Sequence, residues 1–142
     1  MKHKILLVED NGPIRENTSE LLEYFDYTVL SASNGEEGLD MAMKQKPDLI
    51  LCDIKMPVMN GYHLLEHIRK IPFLRSSHFV FFTASCEKKD IEMGMKMGAD
   101  DYIVKPFTEK ELLGKLKKLL VATLLFFSLQ FESLPQLIAV MY

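Results

Sequence analysis

The chain has no tryptophan, only two cysteines in 142 residues, and a formal charge of only -3. Each scarcity removes a class of protein. Cys52 and Cys86 stand in no C-x-x-C or other ligand-like spacing, so they supply neither a disulfide framework nor a thiolate metal site. Isolated cysteines without a secretory leader point to a reduced, cytoplasmic protein. The opening "MKHKILLVEDN" turns acidic before its apolar run is long enough for a signal sequence. No stretch reaches the roughly 18 uninterrupted apolar residues of a membrane-spanning helix. The charge imbalance is too small for a nucleic-acid surface or a disordered acidic tail. There is no internal repeat and no low-complexity linker. The length fits one domain with a single core.

What is present is an alternation. "KILLV" (Lys4–Val8), "YTVLSA" (Tyr27–Ala32), "DLILCD" (Asp48–Asp53), "HFVFFTA" (His78–Ala84) and "DYIVKP" (Asp101–Pro106) read as strands. Helical patterns follow each of them. The first carries Ile14, Thr18, Leu21, Leu22 and Phe25, with Pro13 as its first residue. The second is capped by Asn34 and puts Leu39 and Met43 on one face. The third, Gly61 to Ile71, has Leu64, Leu65 and Ile68 as its stripe. Ile91 and Met95 mark the fourth and Gly98 its stop. Thr108 and Glu111 make a capping box for the fifth. Five strand–helix units with continuous apolar strands predict an α/β fold: a parallel sheet buried on both faces.

In such sheets ligands bind beyond the carboxyl ends of the strands. Glu9 and Asp10 end the first strand, Asp53 the third, Thr83 the fourth and Lys105 the fifth. A lone acid at a strand end is ordinarily a loop residue. Three carboxylates, a hydroxyl and an ammonium at matching ends should instead converge in one pocket. Clustered carboxylates repel one another, and a hard divalent cation such as Mg²⁺ relieves that repulsion. Such a site can accept a phosphoryl group, with Asp53 as nucleophile and Lys105 and Thr83 holding product oxygens.

"ILLVEDN", "DLILCDIKMPVMNGYHLL", "FFTA" and "GADDYIVKPF" together resemble the receiver domain of two-component response regulators, over about Lys4 to Leu120. The resemblance implies a flavodoxin-like, doubly wound five-stranded parallel sheet in the order 2-1-3-4-5 with helices on both faces. It implies that Asp53 is the phosphoacceptor, charged by a histidine kinase or a histidine phosphotransfer protein. Asp10, Asp53 and the backbone carbonyl of Lys55 would hold Mg²⁺ or Mn²⁺, with Glu9 acting through water. Thr83 would be the switch hydroxyl, Tyr102 the switch aromatic and Lys105 the phosphate-pairing lysine. Pro106 would follow a cis bond, and Gly61 matches the glycine after the "MP" turn. Lys55 and Ser85 would influence the lifetime of the acyl phosphate. The implied output surface is the fourth helix, fifth strand and fifth helix, which would signal to a downstream protein effector. The only catalysis implied is of the chain's own phosphorylation and dephosphorylation.

Two other readings are weighed against this one. Aspartyl-phosphate phosphatases resemble one another in a D-x-D pair at the nucleophile, whose second acid serves as acid–base, but Lys55 stands at that second position here. A phosphorylation-independent interaction module is disfavoured by the intact acid set. His63 and His67 have a metal-compatible spacing but lack an H-E-x-x-H motif, so they read as solvated helix residues. Cys52 should point away from Asp53 into the core. Met93, Met95 and Met97 cannot share one helical face, so some should be exposed.

The end of the chain departs from the resemblance. Residues 1–120 read as the receiver and 121–142 as an atypical apolar tail extending the last helix, with Leu112, Leu116, Leu119, Thr123 and Leu124 as a continuing stripe. Pro135 should stop any helix reaching that far. Three explanations stay open for the tail: a homodimer element through the last helix, the start of a truncated or frame-altered output region, or a segment folded back or lying on a membrane surface. It has too few basic residues for nucleic acid, so no nucleic-acid partner is expected from this chain alone.

Overall fold

The computed structural model describes residues 2–130, with side chains through Val121. Five strands, β1 (Lys4–Val8), β2 (Thr28–Ala32), β3 (Leu49–Cys52), β4 (His78–Thr83) and β5 (Asp101–Val104), form one parallel sheet in the order β2-β1-β3-β4-β5. Five α-helices alternate with them: α1 (Gly12–Tyr24), α2 (Gly35–Gln45), α3 (Gly61–Lys70), α4 (Lys88–Lys96) and α5 (Glu109–Gln130). This is the doubly wound fold expected from the alternation.

The sheet separates two apolar layers. Leu6, Val8, Ile50, Cys52, Phe79 and Phe81 point to one side, against Leu64, Leu65 and Ile68 of α3 and Ala42 of α2. Ile5, Leu7, Leu49, Leu51, Val80 and Phe82 point to the other, against Leu22 of α1 and Leu112, Leu116 and Leu120 of α5. Each fully buried Leu, Ile or Phe contributes on the order of 2 kcal/mol, so the central strands hold the sheet in place. β1, β3 and β4 are buried almost end to end. β2 and β5 are not, because they are the sheet's edges and each keeps residues in contact with solvent. The expectation of burial on both faces therefore holds for the central strands only.

Local signals fixed most boundaries. Asn34 and Asn60 cap α2 and α3 by accepting from the N–H groups of Glu37 and His63 at 2.9 and 3.0 Å. Thr108 accepts the Glu111 N–H at 3.1 Å, opening α5. Gly98, at φ 108°, follows α4 as its stop. α1 differs by one residue: Asn11 is the cap and Gly12 the first residue, so Pro13 sits second. α2 differs more. Its sheet-facing side is small, with Gly38 against Val8 and Ala42 buried, while Met43 is largely exposed. A Cβ at Gly38 would come within 2.9 Å of Val8 Cγ2, so the close packing needs glycine there. A 3₁₀ turn, Pro72–Leu74, not expected from the pattern, leads from α3 toward β4.

α5 runs from Glu109 to Gln130. Leu112, Leu116 and Leu120 are buried in the core, Leu119 packs against it, and Val121 is 40 % exposed. The stripe positions Thr123 and Leu124 lie beyond the described side chains, and Pro135 beyond the described residues. Among the described residues no helix is long and apolar enough to cross a membrane.

Candidate functional site

The parallel register builds the site. Val8, Cys52 and Phe81 stand at one level across β1, β3 and β4. The chain emerges from all three strands at one edge, with Glu9 and Asp10 beyond β1, Asp53 beyond β3 and Thr83 at the end of β4. The Asp53 N–H donates to the Val8 carbonyl at 3.0 Å and the Glu9 N–H to the Ala32 carbonyl at 3.0 Å, so both acids are held by sheet-like bonds.

The three carboxylates meet: one oxygen from each of Glu9, Asp10 and Asp53 lies within 4.8 Å of the others. Glu9 is buried, Asp53 nearly so and Asp10 exposed. Lys105 reaches over from β5. Its Nζ stands 3.0 Å from Glu9 Oε2 and 3.2 Å from Asp53 Oδ2, and 4.4 Å from the centre of the Phe82 ring. Asp53 Oδ1 accepts the Ile54 N–H at 2.7 Å, which leaves the carboxylate little rotational freedom. Burial pushes the Glu9 carboxyl up to about 7; the Lys105 hydrogen bond opposes this and the Asp53 charge adds to it. A mixed set of buried and exposed carboxylate oxygens suits a hard divalent cation that keeps part of its water. Among the described residues this is the cluster of three or more acids, histidines or cysteines with ligand spacing.

Gly61 is required by contact. Its N–H donates to the Ile54 carbonyl at 2.8 Å, and a Cβ there would overlap the Asp53 carbonyl oxygen and touch Ile54 Cα. The Lys105–Pro106 peptide is cis. Thr83 is buried and its Oγ1 accepts the Ser85 N–H at 3.2 Å. Tyr102, opposite Phe81 in the register, is partly buried, with Lys115 Nζ 4.8 Å from its ring centre and 2.7 Å from its carbonyl oxygen. Lys55 is exposed in the loop after Asp53.

The remaining candidates fall where the blander readings put them. His63 and His67 are exposed on α3, and Glu66 between them pairs with Lys70 at 3.1 Å. Cys52 is buried, with burial raising its thiol well above the ordinary value and the Asp53 charge adding to the effect. Met93 and Met95 are exposed while Met97 packs on the core.

Two features were not read from the sequence. Arg15 of α1 donates to the Glu9 carbonyl at 2.7 Å and to the Asp10 carbonyl at 3.4 Å, pinning the turn that carries both acids. The Tyr62 O–H donates to the Asp90 carbonyl at 3.1 Å, joining α3 to the first turn of α4. Arg15 lies six residues beyond Glu9 in a helical pattern, and nothing in that spacing sets it apart from a surface charge.

Comparison with known proteins agrees with this architecture. Residues 5–117 match the response regulator receiver domain. The chain is 37 % identical over 125 residues to the "Probable transcriptional regulator ycf27" of Guillardia theta, covering 86 % of this chain and 47 % of that protein. It is 36 % identical over 117 residues to the phosphate regulon transcriptional regulatory protein PhoB of Escherichia coli K12, covering 82 % and 51 %. The solved structure of the Vibrio cholerae chemotaxis protein CheY4 superposes with a TM-score of 0.80 at 30 % identity, over 84 % of this chain and 99 % of that one. The chain therefore belongs to the response regulator receiver family, whose members are signalling phosphoacceptors. It spans about half the length of the curated relatives it matches.

Proposed function

We propose that Asp53 is the residue phosphorylated in this receiver. The observation that carries the assignment is the Asp53 carboxylate held between the Ile54 N–H and the Lys105 ammonium, beside Glu9 and Asp10. An Asp53 oxygen attacks the phosphorus of a phosphohistidine on a kinase or phosphotransfer protein. The P–N bond breaks, and the imidazole, protonated on its other nitrogen, leaves neutral with the bonding pair. No proton is needed from the receiver, so the absence of an acid–base partner at Lys55 is no obstacle.

Asp10, Asp53 and the Lys55 carbonyl would hold Mg²⁺ or Mn²⁺, with Glu9 reaching it through water. That ion supplies charge neutralisation at the transferring oxygens. Lys105 is close enough to exchange its contacts with Glu9 and Asp53 for a phosphoryl oxygen. Thr83 donates its hydroxyl to a second oxygen. Tyr102 repacks as the loop after β4 follows Thr83, which alters the surface of α4, β5 and α5 presented to a protein effector. In this reading the receiver spans residues 1–120, a boundary supported by Leu120 being the last buried side chain among the described ones. Two relatives named as transcriptional regulators support a transcriptional destination for the signal.

The test is intact mass after incubation with acetyl phosphate and Mg²⁺. Wild type gains one phosphoryl group and Asp53→Asn gains none. Equal gain by both proteins, or none by folded wild type that binds Mg²⁺, rejects the assignment.

A further inference from the structure

A hydrogen-bonded chain starts at Thr83, at the end of β4, and ends on α3. Thr83 Oγ1 accepts the Ser85 N–H at 3.2 Å. The Ser85 hydroxyl donates to Asp90 Oδ2. The Asp90 carbonyl, in the first turn of α4, accepts the Tyr62 O–H at 3.1 Å. Tyr62 is itself fixed, its ring edge-on to Phe81 at 5.5 Å, and Phe81 packs on Phe79 at 5.1 Å. The backbone of α4 closes over the same ring at Gly94, where a Cβ would come within 2.7 Å of Phe81 Cε2. Burial raises the Tyr62 phenol above its ordinary value, and the Asp90 charge adds to this, so the group stays a donor.

The chain constrains one atom in particular. A hydroxyl has one hydrogen to donate and two lone pairs. With the Ser85 N–H on a lone pair, the Thr83 hydrogen remains free for another acceptor. Ser85 can keep that position only if its loop is anchored, and the anchor is Asp90. Asp90 in turn is held by a residue of α3, the helix that begins eight residues after Asp53.

We propose that Tyr62 and Asp90 are positioning residues for Thr83: acting through Ser85, they hold its hydroxyl in readiness for the incoming phosphoryl group. This rests on the reading of Thr83 as a phosphoryl-binding hydroxyl. Pre-placing a donor removes reorganisation from the transfer step. Loss of one link should slow phosphoryl acceptance two- to fivefold, and a hydrogen bond of about 1 kcal/mol corresponds to about fivefold.

The experiment follows the rate of acyl-phosphate formation in the full chain, with acetyl phosphate and Mg²⁺, by intact mass. Tyr62→Phe keeps the ring on Phe81 and removes only the hydroxyl. It should slow the reaction two- to fivefold in wild type and have no effect in a Thr83→Ala background. Asp90→Ala should behave likewise, and Asp90→Asn, whose amide oxygen can still accept from Ser85, should recover most of the rate. Tyr62→Phe at the wild-type rate, or the same slowing in both backgrounds, overturns the proposal. A slow Thr83→Ala beside a silent Tyr62→Phe rejects the positioning role alone. A Thr83→Ala that reacts at the wild-type rate rejects the reading of Thr83 and the positioning role with it. Should Asp90→Ala fail to fold, Tyr62→Phe carries the test.

Discussion

Lys105 and Asp53, 52 positions apart in the chain, meet with Nζ 3.2 Å from Oδ2, and the same ammonium stands 3.0 Å from Glu9. One cation thus serves two carboxylates at a sheet edge where water is scarce. Removing it leaves two acids facing each other with no counter-charge, and breaking a buried pair from one side costs more than the pair itself contributes. Lys105→Met should lower stability at pH 7.5 by about 2 kcal/mol in chelator-treated protein. Millimolar Mg²⁺ should restore part of that loss. Urea unfolding with and without the metal checks it, and a variant as stable as wild type in chelator contradicts it.

Glu9 sets a pH dependence of defined sign. Its carboxyl is raised from 4.5 to about 7 in the folded state, chiefly by burial. The folded protein therefore holds a proton that the unfolded chain releases. The stability this contributes is complete below pH 4.5 and is lost as pH rises through 7. The loss is largest without divalent cations, which would otherwise favour the ionised carboxylate. Glu9→Gln should flatten that part of the profile and be more stable than wild type at pH 8. Denaturant midpoints between pH 5 and 8 provide the measurement.

Asp100 acts in the opposite sense at the other end of the sheet. One of its oxygens accepts the Phe79 N–H at 2.7 Å and stands 3.1 Å from Arg69 and 3.7 Å from His78. Burial opposes its charge, yet the bonds from His78 and Phe79 and the nearby cations outweigh this and lower its pKa below the usual value. Its contribution is present above pH 3.8 and disappears as pH falls through the lowered folded value, well below the Glu9 window. Asp100→Ala, which orphans the Phe79 N–H, should cost about 2 kcal/mol near pH 6. Thermal or urea melts at pH 6 and pH 3 should show the difference shrinking in acid.

Gly61→Ala puts a methyl group onto the backbone of the loop that carries Asp53. Neither contact is the tip of a flexible side chain, so the backbone itself must move. Overpacking of this kind costs about 1–3 kcal/mol. The variant should be less stable and slower to accept a phosphoryl group, both measurable on one preparation. Normal stability and a normal rate together would contradict the contact.

Much of this was legible in the residues. Lys4–Val8 and His78–Thr83 are apolar and bounded by polar or turn residues, and a buried parallel strand leaves that pattern. Asn34, Asn60, Thr108 and Gly98 mark helix ends because they satisfy backbone groups locally, with no need of tertiary context. Met43 was misplaced because α2 packs by small residues: Gly38 and Ala42 carry no apolar weight in a periodicity, yet they allow the closest approach to the sheet. The 3₁₀ turn at Pro72–Leu74 is too short for a periodic signal. At the site, the strand-end rule anticipates the meeting of Glu9, Asp10, Asp53 and Lys105, because register alone brings strand ends together. Arg15, Tyr62 and Asp90 act through long side chains or backbone carbonyls, and those contacts depend on helix placement that no spacing encodes.

The most direct test of the account is to locate the phosphoryl bond chemically. Protein treated with acetyl phosphate and Mg²⁺ is reduced with borohydride, which converts an aspartyl phosphate to homoserine, and is then mapped by peptide mass spectrometry. The account predicts homoserine at position 53 and intact carboxylates at Glu9 and Asp10. A reduced site at Asp10 or elsewhere, or a phosphoryl group that resists borohydride on another type of side chain, would contradict it.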